Sequence, residues 1–247
     1  MISFDACRGS LNPTRLFKWI KYSLGFAREH PEYFYPDGLS IFVGPQGSGK
    51  TLSAVNYVYK LMEIYPNALL VTNIELRDYP FDYVRVFPFN NADDLSYYSN
   101  GEKGVIFLID EIQLYFNSLQ SKNINPEVMV QISQQRKQRK HIIATSQVFG
   151  RMAKPLREQF SSVIVCSNYF GFFQINKLVD RDSIEDFDNG TNLKGQVKKK
   201  FFWFHSPNDY GKYNTYYVIE KNKFISQEEK KVDIYGHQLS DCSGNDV

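Results

Sequence analysis

Short apolar runs and longer amphipathic stretches alternate along residues 39–170. Short apolar runs bounded by polar residues are typical of buried strands, whereas apolar positions recurring every three or four residues are typical of helices. The apolar runs are LSIFV, ALLVT, VRVFPF, VIFLI, HIIAT and SSVIVC. Residues 50–66 predict a helix that ends at Pro66, and residues 125–140 predict a second helix that begins at Asn125-Pro126. The alternation predicts an α/β fold with a mostly parallel sheet flanked by helices.

The two ends of the chain follow other patterns. Leu16, Ile20 and Leu24 recur every four residues after Asn12-Pro13, which predicts a short amphipathic helix packed on the core or on a neighbouring subunit. After residue 171, the segments GFFQINKLVD, QVKKKFFWF and NTYYVIEK predict further strands of an added sheet. The last twenty residues carry little apolar surface and predict a loose tail.

Composition narrows the class of protein. The 247 residues are 43% hydrophobic with a net charge of +2, so a packed core is expected and the overall charge does not indicate nucleic-acid binding. The three cysteines lie far apart without metal-ligand spacing, as in a reducing compartment. The N-terminus lacks a signal-peptide pattern, and the longest apolar run is too short to span a bilayer. We expect a soluble protein of the cytoplasm.

Residues 44–51, GPQGSGKT, match the phosphate-binding pattern G-x-x-x-x-G-K-[ST] in full. Glycines allow a tight turn whose backbone N–H groups face phosphate, and the following helix directs its positive end at the same anion. In this pattern the lysine reaches the β- and γ-phosphates and the Ser or Thr hydroxyl binds Mg²⁺. We therefore predict ATP and Mg²⁺ as ligands. The predicted nucleotide-binding residues are Gly44, Pro45, Gln46, Gly47, Ser48, Gly49, Lys50, Thr51 and Leu52.

An acidic pair, Asp110-Glu111, follows the apolar run VIFLI. Ligands of open α/β sheets bind at the carboxyl ends of the strands, where these two side chains are expected. Asp110 is predicted to hold Mg²⁺ together with Thr51, and Glu111 to deprotonate the attacking water. A solvated acidic pair at a strand end is the alternative interpretation.

A second apolar run, HIIA, ends in Thr145-Ser146-Gln147. If this strand lies beside the Asp110 strand, the Gln147 amide is placed to sense the γ-phosphate and to orient water. Alternatively, Ser146 and Gln147 only satisfy the loop that follows.

Four cations, Arg136, Lys137, Arg139 and Lys140, precede the same strand. Three interpretations stay open: an arginine finger acting on a neighbouring subunit's nucleotide, a contact with DNA phosphates, or a solvated helix C-terminus. Arg139 is the first candidate for the finger. Arg151 and Arg157 compete with it.

Together, FVGPQGSGKT, LLVTNIEL, LIDEIQLYF and QQRKQRKHIIATSQVFGRMAKPLRE resemble the zonular occludens toxin-like and filamentous-phage assembly ATPases, with weaker support from YNTYYVIEK. That group is similar to the FtsK–HerA DNA pumps and viral genome-packaging ATPases. The resemblance covers about residues 38–220. It implies a RecA-like (ASCE) P-loop NTPase fold and matches Lys50, Thr51, Asp110, Glu111 and Gln147 to the family's site.

The resemblance also implies an activity. It implies a homo-oligomeric ring, a pentamer or hexamer, that couples ATP hydrolysis to DNA movement in a bacterial host's cytoplasm and docks on a portal, capsid vertex or membrane. Such phage proteins usually continue into a membrane-spanning helix, which the sequence up to Val247 lacks, so we expect a soluble packaging motor. A membrane-associated extrusion ATPase and a protein-remodelling or secretion ATPase are the alternatives.

The expected organisation has four parts. Residues 1–37 form an N-terminal helical segment, 38–170 the P-loop ATPase core, 171–225 a β-rich extension of the core, and 226–247 a flexible tail.

Overall fold

A computed structural model describes residues 13–30, 33–35, 38–79, 85–116, 126–179 and 197–214, apart from the side chains of four residues of the first helix. All of these residues belong to one compact unit, Met1–Thr215. The predicted strand NTYYVIEK and the predicted tail 226–247 lie outside the described residues, as does most of the polar segment that follows residue 179.

One eight-stranded sheet organises the described residues. Its strands are β1 (Leu39–Val43), β2 (Leu69–Thr72), β3 (Arg85–Pro88), β4 (Val105–Ile109), β5 (Lys140–Ser146), β6 (Phe160–Tyr169), β7 (Phe173–Val179) and β8 (Val197–Phe204). The order across the sheet is β3-β2-β4-β5-β1-β6-β7-β8. The first six strands are parallel, and β7 and β8 are antiparallel to their neighbours. This confirms the predicted α/β class, but β7 and β8 extend the main sheet instead of forming an added one.

The sheet is buried on both faces at its centre, as the unbroken apolar runs require. Every residue of β1, β4 and β5 is buried. The helices are α1 (Pro13–Glu29), α2 (Lys50–Ile64), α3 (Asp94–Tyr97), α4 (Pro126–Ser133), α5 (Lys154–Arg157) and α6 (Pro207–Gly211). Val55 and Val58 of α2 pack in the core on one face, whereas Val128 of α4 and Leu156 of α5 pack in the core on the other.

Helix α1 begins at Pro13, as predicted, but its apolar stripe does not pack on the core. Leu16, Ile20 and Leu24 are 61%, 42% and 62% exposed. Near the end of the helix, the ring of Phe26 contacts the ring of Tyr33 at 5.3 Å. Within the described ranges, no helix is long and apolar enough to cross a membrane.

Helix α4 is shorter than the sequence pattern predicts. It ends at Ser133, and residues 134–139 form successive turns that lead into β5. The cations at 136, 137 and 139 therefore lie in turns just beyond the end of α4, where Arg136 and Lys137 are exposed.

Candidate nucleotide-binding site

The predicted site residues meet at the edge of the sheet where the parallel strands end. β5 pairs with β4 on one side and with β1 on the other. The loop after β1, the acidic pair after β4 and the polar triplet at the end of β5 are thereby adjacent. The strand that ends near Gln147 therefore lies beside the Asp110 strand, which is the condition under which Gln147 reaches the site.

The phosphate-binding pattern forms a tight loop between β1 and α2. Gly49 occupies the left-handed region with φ 78°, and α2 begins at the next residue. Lys50 is 6% exposed, and its Nζ donates to the carbonyl oxygen of Pro45 at 3.1 Å. The ammonium group is therefore held over the loop, where a bound phosphate would meet it.

A buried hydroxyl in the loop also fits a nucleoside triphosphate. The Ser48 hydroxyl is buried, and no described residue hydrogen-bonds to it. Buried polar atoms normally have a partner, and a phosphate oxygen at a loop of this shape would supply one. The positive N-terminal end of α2 favours the same anion.

Asp110 is the centre of a hydroxyl cluster. Its Oδ1 accepts hydrogen bonds from the Thr51 hydroxyl at 3.0 Å and from the Thr145 hydroxyl at 2.5 Å. Asn73, after β2, fixes the backbone: Asp110 N–H donates to Asn73 Oδ1 at 2.8 Å, and Asn73 Nδ2 donates to the Asp110 carbonyl at 2.9 Å. The start of α2 and the end of β5 thus orient the carboxylate, and the residue after β2 fixes its backbone.

Burial raises the pKa of Asp110, and the hydroxyls of Thr145 and Thr51 lower it against that effect. Glu111 raises this pKa further by repulsion, while Lys50 lowers it. A buried carboxylate that is costly to ionise gains from a nearby cation. The electrostatics of the site therefore favour a metal ion beside Asp110.

The oxygen atoms at this point fit Mg²⁺. Mg²⁺ is commonly held by one or two protein oxygen ligands together with water and substrate phosphates. Thr51 and Asp110 supply a hydroxyl and a carboxylate that already contact each other. Across the described ranges, no group of three or more His, Cys, Asp and Glu side chains could hold a metal.

Glu111 is held in a strained backbone conformation with φ 50°. A non-glycine residue in this region costs about 1–3 kcal/mol and often marks a functional site. Its N–H donates to Thr145 Oγ1 at 2.9 Å, and the Gln147 amide donates to Glu111 Oε1 at 3.1 Å. The Gln113 amide bonds to the other carboxylate oxygen. The structure thus brings Gln147 to the predicted base, while Ser146 bonds to the following loop at Val148.

Arg139 lies at the opposite edge of the sheet. Its carbonyl accepts from the N–H of Val105, the first residue of β4, and its guanidinium stacks on the Tyr33 ring with Cζ 3.4 Å from the centroid. It therefore cannot reach the nucleotide loop of its own chain. A role as an arginine finger would require a neighbouring subunit whose loop faces this edge.

Lys140 departs from the predicted solvated basic run. It is 4% exposed, and its Nζ donates to the Leu95 carbonyl at 2.7 Å. Burial lowers the pKa of Lys140. This cation stabilises the connection between β5 and α3 and is not available to DNA or to a neighbour.

Of the two competing arginines, only Arg151 lies near the nucleotide edge, because Arg157 precedes the start of β6, where Phe160 pairs with Leu39. Arg151 is exposed in the 3₁₀ turn Phe149–Arg151, which follows Gln147. Arg157, at the end of α5, is partly buried. Position in the sheet therefore favours Arg151 over Arg139 for contact with groups at that edge.

Three further residues contact the site. Thr145 bonds to both acidic residues, Asn73 bonds to the Asp110 backbone, and Gln174 on β7 donates to the Ser48 carbonyl at 2.9 Å. Thr145 belongs to the polar triplet already singled out, and Asn73 follows an apolar run, so a rule on strand ends would have found both. Gln174 gives only a weak signal, an amide at an inward position of a strand.

Several solved structures are similar to this chain. The N-terminal domain of zonular occludens toxin from Neisseria meningitidis is 19% identical, covers 72% of this chain and 98% of that domain, and has a TM-score of 0.49. The genome packaging NTPase B204 from Sulfolobus turreted icosahedral virus 2, in complex with ATP-gammaS, is 13% identical with a TM-score of 0.45 and covers 70% of this chain and 98% of its own. The flagellar accessory protein FlaH from Methanocaldococcus jannaschii is 12% identical, covers 69% of this chain and 86% of its own, and has a TM-score of 0.45.

The search of curated protein sequences found no match. The sequence model of one protein family, described as zonular occludens toxin (Zot), matches residues 38–202, which include β1 to β6 and the entire candidate site. The match covers more than half of the chain and agrees with the P-loop fold seen here. The chain therefore belongs to the zonular occludens toxin (Zot) family.

Proposed function

We propose that the chain is an ATP-driven DNA-translocating motor of a bacteriophage that pumps the viral genome during packaging or virion assembly. One observation supports ATP hydrolysis. Thr51, at the end of the phosphate loop, bonds to Asp110, and the next residue, Glu111, is held beside it by Thr145. Membership of the Zot family supports the DNA-translocating activity, because the resemblance described above implies a DNA motor.

Each residue has a distinct chemical role in this proposal. The loop N–H groups and Lys50 bind the β- and γ-phosphates, and Thr51 and Asp110 hold Mg²⁺. Bound Mg²⁺ supplies charge neutralisation on the phosphates. Glu111 accepts the proton of the attacking water, and Gln147 orients that water, since its amide already contacts the carboxylate.

Strain at Glu111 supports its role as the base. The left-handed backbone and two amide contacts fix the carboxylate in one place, which is what positioning a water molecule requires.

The test is an ATPase assay with Mg²⁺, with and without single- and double-stranded DNA. We expect DNA to stimulate turnover, and Lys50→Ala to abolish it. Glu111→Gln should bind ATP with nearly unchanged affinity while kcat falls by about 10²- to 10⁴-fold, the range for general base catalysis. Glu102→Gln, on an exposed glutamate in the 3₁₀ turn before β4, is the matched control and should leave kcat unchanged.

Two results would contradict the proposal. Normal turnover by Glu111→Gln would remove Glu111 as the base. Absence of both DNA stimulation and DNA binding, with a non-hydrolysable ATP analogue at low salt, would remove the DNA motor. Sedimentation with the same analogue tests the proposed ring, and a chain that stays monomeric would contradict it.

A further inference from the structure

The phosphate loop is held from the side by a buried amide on β7. Gln174 is fully buried, and its Nε2 donates to the Ser48 carbonyl and to Asn176 Oδ1, each at 2.9 Å. Ser48 directly precedes Gly49 and Lys50, whose N–H groups face the phosphates in loops of this type. A contact on the Ser48 carbonyl therefore fixes the orientation of the peptide that presents those groups.

The same amide lies close to residue 49, whose left-handed backbone at φ 78° itself favours glycine. A Cβ atom at Gly49 would lie 2.2 Å from Gln174 Oε1. The loop and the amide are therefore in direct contact, so a change in the position of Gln174 is transmitted to the loop.

Gln174 is one end of a longer chain of hydrogen bonds. Its Oε1 lies 3.2 Å from Nε2 of His205, which follows β8. His205 Nδ1 lies 2.6 Å from the hydroxyl of Tyr210 on α6, and this hydroxyl donates to the Gly171 carbonyl at 2.8 Å. The chain connects the buried loop to the exposed turn between β6 and β7.

Counting protons shows that His205 controls how many of these bonds form. The Gln174 amide donates to Ser48, so its oxygen faces His205, and Nε2 must carry a proton to bond to it. In neutral His205, Nδ1 is an acceptor, and the single Tyr210 proton serves either Nδ1 or Gly171. In the imidazolium, Nδ1–H donates to Tyr210, Tyr210 donates to Gly171, and all three bonds coexist.

We propose that Gln174 is a positioning residue for the phosphate loop and that His205 and Tyr210 set how firmly it holds the loop, so that nucleotide affinity follows the protonation of His205. The inference rests on the proposed ATP site. Gln174 touches neither Glu111 nor Gln147 in the hydrogen bonds of the structure, so its effect falls on binding and not on the chemical step.

The surroundings of His205 lower the pKa of its imidazole from the ordinary value, so the imidazolium forms at acidic pH. Burial lowers the pKa of His205, while the Gly171 backbone and the Asp209 carboxylate raise it. Asp209, on α6, is itself paired with Lys212 at 2.7 Å. Among the residues that the structure describes, the other groups in contact with the ring are uncharged: Tyr210, the Gln174 amide and the indole of Trp203, whose centroid lies 4.6 Å away.

The experiment measures Mg²⁺-ATP affinity and steady-state kinetics at pH 5.5 and 8.0. We expect Gln174→Leu to weaken ATP binding and raise KM by about 2- to 12-fold, the factor for one net hydrogen bond, with kcat nearly unchanged. His205→Gln keeps an N–H for Gln174 but cannot titrate. We expect the wild type to bind ATP more tightly at pH 5.5 than at pH 8.0, after correction for the titration of ATP itself. His205→Gln should keep its affinity for ATP and lose this pH dependence.

Tyr210→Phe removes the far end of the chain and should also alter the pH dependence. Its control is Tyr169→Phe, because Tyr169 and Tyr210 are 46% and 47% exposed and Tyr169 does not belong to this series of hydrogen bonds. If Gln174→Leu does not fold, the pH dependence of ATP binding by the His205 and Tyr210 variants tests the inference without it. A wild type that binds ATP with the same pH dependence as His205→Gln and Tyr210→Phe would overturn the inference but leave the ATP site intact. A wild type that binds no ATP would refute the proposed function itself.

Discussion

Thr145 is the residue whose removal tests the site most directly. Its hydroxyl donates to Asp110 Oδ1 at 2.5 Å and accepts from the Glu111 N–H at 2.9 Å, and the residue itself is fully buried. Thr145→Val keeps the shape and removes both bonds. A bond to a charged group contributes about 1.5–3 kcal/mol and a neutral one about 0.5–1.5 kcal/mol, so we expect a loss of about 2–4 kcal/mol of unfolding free energy.

In a chain of this size, 1 kcal/mol corresponds to a shift of about 2–4 °C in Tm, so the variant should melt roughly 5–15 °C lower. We also expect kcat to fall, because Glu111 loses the bond that fixes its backbone. Thr145→Ser, which keeps the hydroxyl, should recover kcat and most of the stability. Differential scanning calorimetry and the ATPase assay measure the two effects.

The loss should depend on pH with a definite sign. Burial raises the pKa of Asp110 in the folded state, whereas the same group in the unfolded chain ionises near pH 4. Ionisation of Asp110 therefore lowers the free energy of unfolding. This cost is absent below pH ~4 and fully present above the folded pKa. Because the Thr145 hydroxyl lowers that pKa, Thr145→Val should raise it further. Thr145→Val should therefore be more destabilising at pH 7.5 than at pH 4.5, and equal losses at both pH values would refute the reasoning.

Other predictions follow from single contacts. Gly49→Ala should lower Tm and ATP affinity, since its Cβ would lie 2.2 Å from Gln174 Oε1, and adding Gln174→Ala should recover part of the loss; no recovery would show that the backbone at φ 78° is the whole cause. Arg139→Ala should lower stability by about 0.5–2 kcal/mol through the lost contact with the Tyr33 ring, measured by urea unfolding. The same variant with unchanged ATPase in the assembled ring would remove the arginine-finger role. Serine substitution of the three exposed stripe residues of α1 should leave Tm unchanged and reduce self-association in sedimentation; the residues are Leu16, Ile20 and Leu24.

The fold was predictable because its signals are local. A buried parallel strand must be apolar throughout, and β1, β4 and β5 are such runs with polar residues at their ends. The phosphate loop fixes its own conformation through its glycines, so Lys50 and Thr51 were placed correctly from spacing alone. No local signal fixes strand order, so the pairing of the Gln147 strand with the Asp110 strand was only assumed from the sequence, and the structure shows that pairing.

The errors arise where burial depends on distant residues. A lysine at a strand start is expected to be solvated, but Lys140 is buried because the Leu95 carbonyl, far away in sequence, accepts its proton. The helix expected through residue 140 stops at Ser133, where residues 134–139 turn to deliver β5 into the sheet. Gln174 was missed because its partner, the Ser48 carbonyl, is a backbone atom without a sequence signal.

The strand order also constrains how the protein is made in the cell. β1, next to the phosphate loop, is flanked by β5 and β6: Leu39 pairs with Ile142, 103 positions later (142 − 39), and Val43 pairs with Val165, 122 positions later (165 − 43). At about 5–20 residues per second, the ribosome needs roughly 6–25 s to supply these partners. Until then the nascent chain exposes its most apolar strands, which makes this interval its period of greatest dependence on chaperones.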